Sequence, residues 1–312
     1  MAFVVIAAMG FGTLGPLARF ASDAGFTAVS FAFWRSLSSV LALAAFLAIG
    51  MLLGRVPTTR LRAISRLEWL QLMAMGAFVA GTTISLFFAF ERTTIALALI
   101  VFYSFPIWVA ISAVPVFGEH LGVRKAAAIG LAGAGLVMLL AAPAEGDAAG
   151  IDPLGVGLAL IASLCQTGFA LVGAGGFASV PPLQSATLLR LFSLSIYAVV
   201  LVPLLVVLGQ GSTILDPIGS GEAWALILTA GIIGAAIPAV LIIAGYRRVG
   251  PTRGAVLMLV EPVTGVILAM LLLAEQPTVV QLAGGLLVLV GAALVQLAPV
   301  KRAGPESQPA AE

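Results

Sequence analysis

Charge is what this sequence has least of. Only 9% of its 312 residues are Asp, Glu, Lys or Arg, and 61% are apolar, where soluble domains carry roughly 25% charge. So few ions could not cover the surface of a soluble fold of this length, and the composition instead suits a hydrocarbon solvent. Cys165 is the only cysteine and His120 the only histidine. An intramolecular disulfide and a Cys/His zinc centre are therefore excluded, and a histidine relay lacks its members. No G-x-x-x-x-G-K-[ST] loop is present, so the chain shows no ATP motor of its own. Few carboxylates fall inside the apolar runs, and no convergent dyad or metal cluster for intramembrane catalysis emerges. The expectation is no catalytic residue, no cofactor and no metal. Filter-like loops and rings of charge, the marks of a channel, are also missing.

What is present is apolar length. A bilayer core needs about 20 apolar residues per helix, and ten such runs lie near 2–21, 28–53, 68–89, 93–117, 123–142, 154–176, 184–208, 222–245, 252–274 and 278–298. The first has no basic leader and continues past the length of a signal-peptide core, so it is expected to be a span. With the N-terminus inside, the cytoplasmic loops hold Arg55, Arg60, Arg62, Arg66, Arg124, Lys125, Arg247, Arg248, Arg253, Lys301 and Arg302, while the outer loops hold only Arg19 and Arg92. This asymmetry predicts a multi-pass membrane protein with both termini cytoplasmic.

The chain also repeats itself. The stretch FERTTIALALIVFYSFPIWVAISAVPVFGEHLGVRK aligns without gaps to YRRVGPTRGAVLMLVEPVTGVILAMLLLAEQPTVVQ, 156 residues on: Pro106 meets Pro262, Glu119 meets Glu275, and further along Gly135 meets Gly291. Earlier in each half the offset is 155, which pairs Arg35 with Arg190, Ala7 with Ala162 and Gly76 with Gly231. Five spans per half is an odd number, so the second half should insert upside down. The expected fold is an all-α integral membrane protein of ten transmembrane helices in two inverted-topology five-helix repeats. The first repeat covers 1–143, a periplasmic linker 144–153, the second repeat 154–298, and a disordered cytoplasmic tail 299–312. Inverted repeats are a common build for secondary transporters, with the substrate site near the midplane.

A Pro-containing span ending in GE or AE, followed by a Gly-rich span, resembles the EamA repeat of the drug/metabolite transporter superfamily. The pieces here read SFPIWVAISAVPVFGEHLGVRKAAAIGLAGAG and LVEPVTGVILAMLLLAEQPTVVQLAGG, and the FWR around Arg35 is similar too. The resemblance implies a ten-helix transporter, with bacterial exporters of amino acids, aromatic ones included, as the nearest kin. The implied partners are a small-molecule substrate and the lipid bilayer, with no nucleic acid, and a monomer rather than a dimer.

Gly10-Phe11-Gly12-Thr13-Leu14-Gly15 spells G-x-G-x-x-G, but it lies inside an apolar span, and the residue 20 beyond Gly15 is Arg35. A dinucleotide fingerprint needs a preceding strand and an acid there. Gly12, Gly15 and Pro16 instead either let helices approach closely or loosen a hinge. Pro106 and Pro262 each remove a backbone donor and bend their spans. Glu261, beside Pro262, has three readings: binding a substrate ammonium, relaying a proton, or pairing with an arginine. Arg35 and Arg190 read as structural charges that snorkel or hold carbonyls, with carboxylate binding as the alternative. Glu119 and Glu275 read as loop anchors or helix caps, or as gate contacts. Phe78, Thr82, Ser85, Tyr103, Ser104, Trp108, Gln166, Thr167 and Glu261 are the candidate substrate contacts. Such a mostly apolar pocket suits a neutral or aromatic solute. No cluster of intramembrane cations is visible, which argues against sugar phosphates. The Gly-rich spans 5 and 10 should form a scaffold away from the pocket.

Overall fold

The computed structural model describes residues 1–90, 92, 95–140, 152–207, 209, 211, 221–273 and 278–297, and every regular element among them is helical. Among the described residues, eight helical stretches are long and apolar enough to cross a bilayer. The first combines α1 (Ala2–Gly12) and α2 (Leu14–Asp23). Next come α3 (Ala28–Leu52), α4 (Arg66–Phe90), the pair α5 (Ile95–Phe102) and α6 (Phe105–Phe117), and the shorter α7 (Val123–Leu140). The second half begins with α8 (Pro153–Gly175), then α9 (Pro182–Ile196) continued by α10 (Val202–Val207). It goes on with α11 (Gly221–Gly231) and α12 (Ile237–Val249), then α13 (Pro251–Met258) and α14 (Val260–Leu272), and ends with α15 (Val279–Leu297). The fifth and tenth apolar runs form α7 and α15, which fall outside the eight. In α7 the first turn is taken by Arg124 and Lys125.

Capping explains where several helices begin. Ser65 and Glu68 form a capping box at the start of α4: Glu68 N donates to Ser65 Oγ at 3.2 Å, and Ser65 N donates to Glu68 Oε2 at 3.1 Å. Thr278 and Gln281 do the same for α15. Asp152 accepts from Leu154 N at 2.9 Å ahead of Pro153, which starts α8.

Prolines explain where spans break. Each removes the donor that would have reached the carbonyl four residues back. Pro16 lies just after the turn at Thr13, Pro106 just after Tyr103–Ser104, and Pro262 just after Leu259. Pro203 and Pro238 follow the π-helical turns Tyr197–Leu201 and Ile232–Ala236. The breaks ahead of Pro106 and Pro262 stand at matched places in the two halves.

Packing contacts also recur with the halves exchanged. A methyl group on Gly135 would lie 2.6 Å from Gly284 O, and one on Gly291 2.8 Å from Ala128 O. These are the same contact with each partner moved by 156. In a similar way, though one residue out of exact exchange, a methyl on Gly76 would lie 2.8 Å from Leu189 O and one on Gly231 3.0 Å from Arg35 O. Small residues bring these backbones together, as they do where helices associate in lipid. The first pair joins α7 to α15, the second α4 to α9 and α11 to α3. The main core lies between the halves, where Val4, Leu72, Met75, Phe105, Leu189, Ile242 and Tyr246 are all buried.

Two turns on one face are stapled together. Glu68 Oε1 accepts from Ser179 N at 2.7 Å and from Ser179 Oγ at 2.8 Å. Beside them, Gln184 accepts from Thr59 N and donates to Thr59 O, both at 2.8 Å. Thr59 Oγ1 also donates to Ser179 O. The α3–α4 loop is thereby tied to the α8–α9 turn, on the face that carries Arg55, Arg60, Arg62 and Arg66.

Candidate functional site

Helix breaks free backbone and re-aim side chains, and one cavity of about 310 Å³ lies where three of them meet. Its volume is at the lower end for small-molecule sites. From the first half come Phe11 of α1, Arg35 of α3, Val79, Thr82, Thr83 and Leu86 of α4, and Leu99, Phe102 and Tyr103 at the α5 break. From the second come Gln166 and Phe169 of α8, Leu189 and Arg190 of α9, Ala239 and Ile242 of α12, Met258 ending α13 and Glu261 opening α14. Carbon dominates the wall, and a few polar groups converge across it.

Those polar groups are differently engaged. Thr82 Oγ1 donates to Ala162 O at 3.4 Å and Thr83 Oγ1 to Val79 O at 3.1 Å, so both hydroxyl protons are used locally. The Tyr103 side chain and the Glu261 carboxylate line the same cavity. Glu261 stands in the first turn of α14, where the helix dipole favours negative charge. Arg35 adds its positive field to that carboxylate. Arg190 is 8% exposed, and its Nε has no hydrogen-bond partner.

Of the candidate substrate contacts, Thr82, Tyr103, Gln166 and Glu261 share this cavity. Five others lie outside it. Phe78 packs its ring under Gly168, joining α4 to α8. Ser85 is buried away from the wall. Ser104 Oγ donates to Val101 O at 2.6 Å and accepts from Trp108 Nε1 at 3.1 Å, and it sits 3.1 Å from Ser163 Oγ. Trp108 is 37% exposed on the outside of the bundle. Thr167 Oγ1 donates to Ser163 O at 2.9 Å and to Phe105 O at 3.5 Å, sewing α8 to α6. The Ser104 and Thr167 hydroxyls found partners on a neighbouring helix, which a single-chain periodicity cannot foresee.

The expected absence of an intramembrane cation cluster is corrected by the fold, because Arg35 and Arg190 line the same cavity. Their matched positions in the two halves were the available signal. Phe11, Phe102 and Phe169 also belong to the wall. Spacing by three or four, as in Val79, Thr82, Thr83 and Leu86 or Leu99, Phe102 and Tyr103, is the pattern that marks these faces. Among the hinge candidates, Gly12 is a close approach: a methyl there would lie 2.8 Å from Glu261 O. Gly15 has nothing within 4 Å, and Pro16 is buried.

Comparison with known proteins completes the assignment. The sequence profile of the EamA-like transporter family matches residues 1–141 and again 153–297. The chain belongs to the EamA-like transporter family. Among 29 matching solved chains, one described as "Crystal structure of protein" superposes with a TM-score of 0.74. The match covers 95% of the EamA chain and 96% of its own at 20% identity, so it speaks to the fold alone. No curated protein matches. Membership in a transporter family agrees with a multi-pass helical protein built around an internal cavity. Among the described residues no group of three His, Cys, Asp or Glu side chains could hold a metal.

The loop charges of this EamA protein lie apart from the cavity. Glu119 Oε2 accepts from Lys125 Nζ at 2.7 Å, tying the α6–α7 turn. A methyl on Gly250, which adopts φ 81°, would lie 3.3 Å from Glu119 Oε1. Glu275, most of the 144–153 linker and the 299–312 tail lie outside the described residues.

Proposed function

We propose that this EamA-family protein is a secondary transporter that exports small organic solutes, neutral or aromatic amino acids foremost, from the bacterial cytoplasm. In this reading α7 and α15 also cross the membrane, giving ten spans in two inverted repeats with both termini inside. The exchanged Gly135/Gly284 and Gly291/Ala128 contacts support it, since they are what a two-fold relation between homologous halves produces. The halves rock around the cavity and expose it to one side at a time. Substrate shifts that balance only through unequal affinity for the two states.

The observation that carries the proposal is the cavity itself. It sits between the halves, at helix breaks, with aromatic walls and the charged trio Arg35, Arg190 and Glu261. Broken helices flanking a charged midplane site are a recurrent transporter design. The test is a competition panel of amino acids, nucleosides and drugs against uptake into proteoliposomes. Saturable uptake competed by aromatic amino acids supports the proposal; competition by drugs alone turns it toward a multidrug carrier. Cysteines at Arg60 and at position 215, related by the repeat, should be labelled from opposite faces. Labelling from the same face sinks the inverted arrangement.

A second reading adds proton antiport, favoured by the placement of Tyr103 and Glu261 together on the cavity wall. Transport by Glu261→Gln that keeps its rate and its response to a pH gradient removes that reading.

A further inference from the structure

The charges on the cavity wall do not balance. Arg35 and Arg190 face one carboxylate, that of Glu261. Tyr103 and Arg35 line the wall with Glu261, and the positive field acting on that carboxylate is Arg35's. Arg190 has no such counterpart. The charge acting on it is Arg35, of the same sign; the one group acting in its favour is the Tyr197 hydroxyl, which carries no formal charge, and its buried Nε donates to nothing. An uncompensated guanidinium in a low-dielectric interior is costly, and such groups usually face a cavity and its ligand. Arg190 is not lacking for company by accident of exposure, since its α9 neighbours Thr187, Leu189 and Ser193 are buried with it.

We infer that Arg190 is the substrate anchor, holding the carboxylate of a solute that bears one such group on an apolar or aromatic body. The inference rests on the transport reading above and narrows its substrate class. A guanidinium offers a planar fork that matches a carboxylate with two parallel hydrogen bonds. One surplus positive charge is neutralised by one carboxylate, whereas a phosphomonoester would overshoot and a lipophilic cation would add to the excess. Phe102, Phe169 and Leu189, on the same wall, receive the apolar body. Arg35 stays with Glu261 and keeps that side of the pocket nearly neutral, which leaves room for an ammonium beside the carboxylate.

The experiment compares solutes that differ only in the anionic group. In proteoliposomes, L-phenylalanine should compete for uptake of labelled L-phenylalanine at least about 30-fold better than L-phenylalaninamide, the scale expected for losing one partner of a buried charge pair. In R190Q that preference should shrink to within about 3-fold, and R190K should recover part of it. The melting temperature separates this role from a structural one. Removing an unpaired buried charge should leave R190Q as stable as the parent or more so. A destabilised R190Q that keeps the carboxylate preference overturns the assignment. If the unmodified protein carries neither compound, the amino-acid reading fails by itself, and thermal shift with phenylacetate against phenylacetamide decides the rest. Stabilisation by phenylacetate alone, lost in R190Q, supports Arg190; equal responses from both proteins overturn it.

Discussion

Glu68 and Ser179 form the strongest polar link between the α3–α4 loop and the α8–α9 turn, and cutting it should open that face. Hydrogen bonds to a charged acceptor contribute roughly 1.5–3 kcal/mol each. Two of them cross between the segments, from Ser179 N and Ser179 Oγ. Ser179 is partly wet, so the low end applies, and the link holds the face shut by about 3 kcal/mol. Glu68→Ala should therefore shift the closed-to-open balance about 100-fold. Gln184→Ala removes two neutral bonds to Thr59 and should shift it about 10-fold. The assay is the distance between spin labels at Arg62 and Ala178, both exposed and placed on the two stapled segments, in a Cys165→Ala background. Glu68→Ala should add a longer-distance population, and Gln184→Ala a smaller one. Distance distributions unchanged in both variants, with transport intact, would show that this staple does not control the opening of that face.

Three further outcomes follow from the packing and the cavity charges. Gly135→Leu and Gly291→Leu should each destabilise the protein by about 1–3 kcal/mol or more and to a similar extent, because both would drive a side chain into the opposing backbone; thermal unfolding in detergent checks this. Gly12→Ala should lower the melting temperature, because its methyl would meet Glu261 O; Gly15→Ala, with open space around it, should be neutral or add up to about 1 kcal/mol. Glu261→Gln should slow transport at least 10-fold, on the order set by leaving Arg35 without its counter-charge, as measured by initial uptake rates.

Much of the fold was legible in the chain. Apolar length and the scarcity of charge indicated a membrane solvent, and the ordered matches at offsets of 155 and 156 marked two halves. Both rest on local chemistry, which a single strand of sequence records directly. The proline breaks were legible for the same reason, since a missing donor acts four residues away and no further. The site was legible only in part. Tyr103, Glu261, Gln166 and Thr82 were found because a polar group deep in an apolar run is conspicuous. Ser104 and Thr167 looked equally conspicuous, yet their hydroxyls are spent on neighbouring helices.

What the sequence determined by itself was therefore the solvent, the helices, their breaks and the doubling of the chain. Which side chains share a cavity was decided by tertiary structure. Arg35 and Arg190 lie 155 residues apart and read as a matched pair of structural charges, with nothing in the chain to place them at one cavity. Only the crossing of α3 and α9 against α4, α11 and their glycines puts both guanidiniums on one wall, because charge balance is a property of a volume and not of a chain.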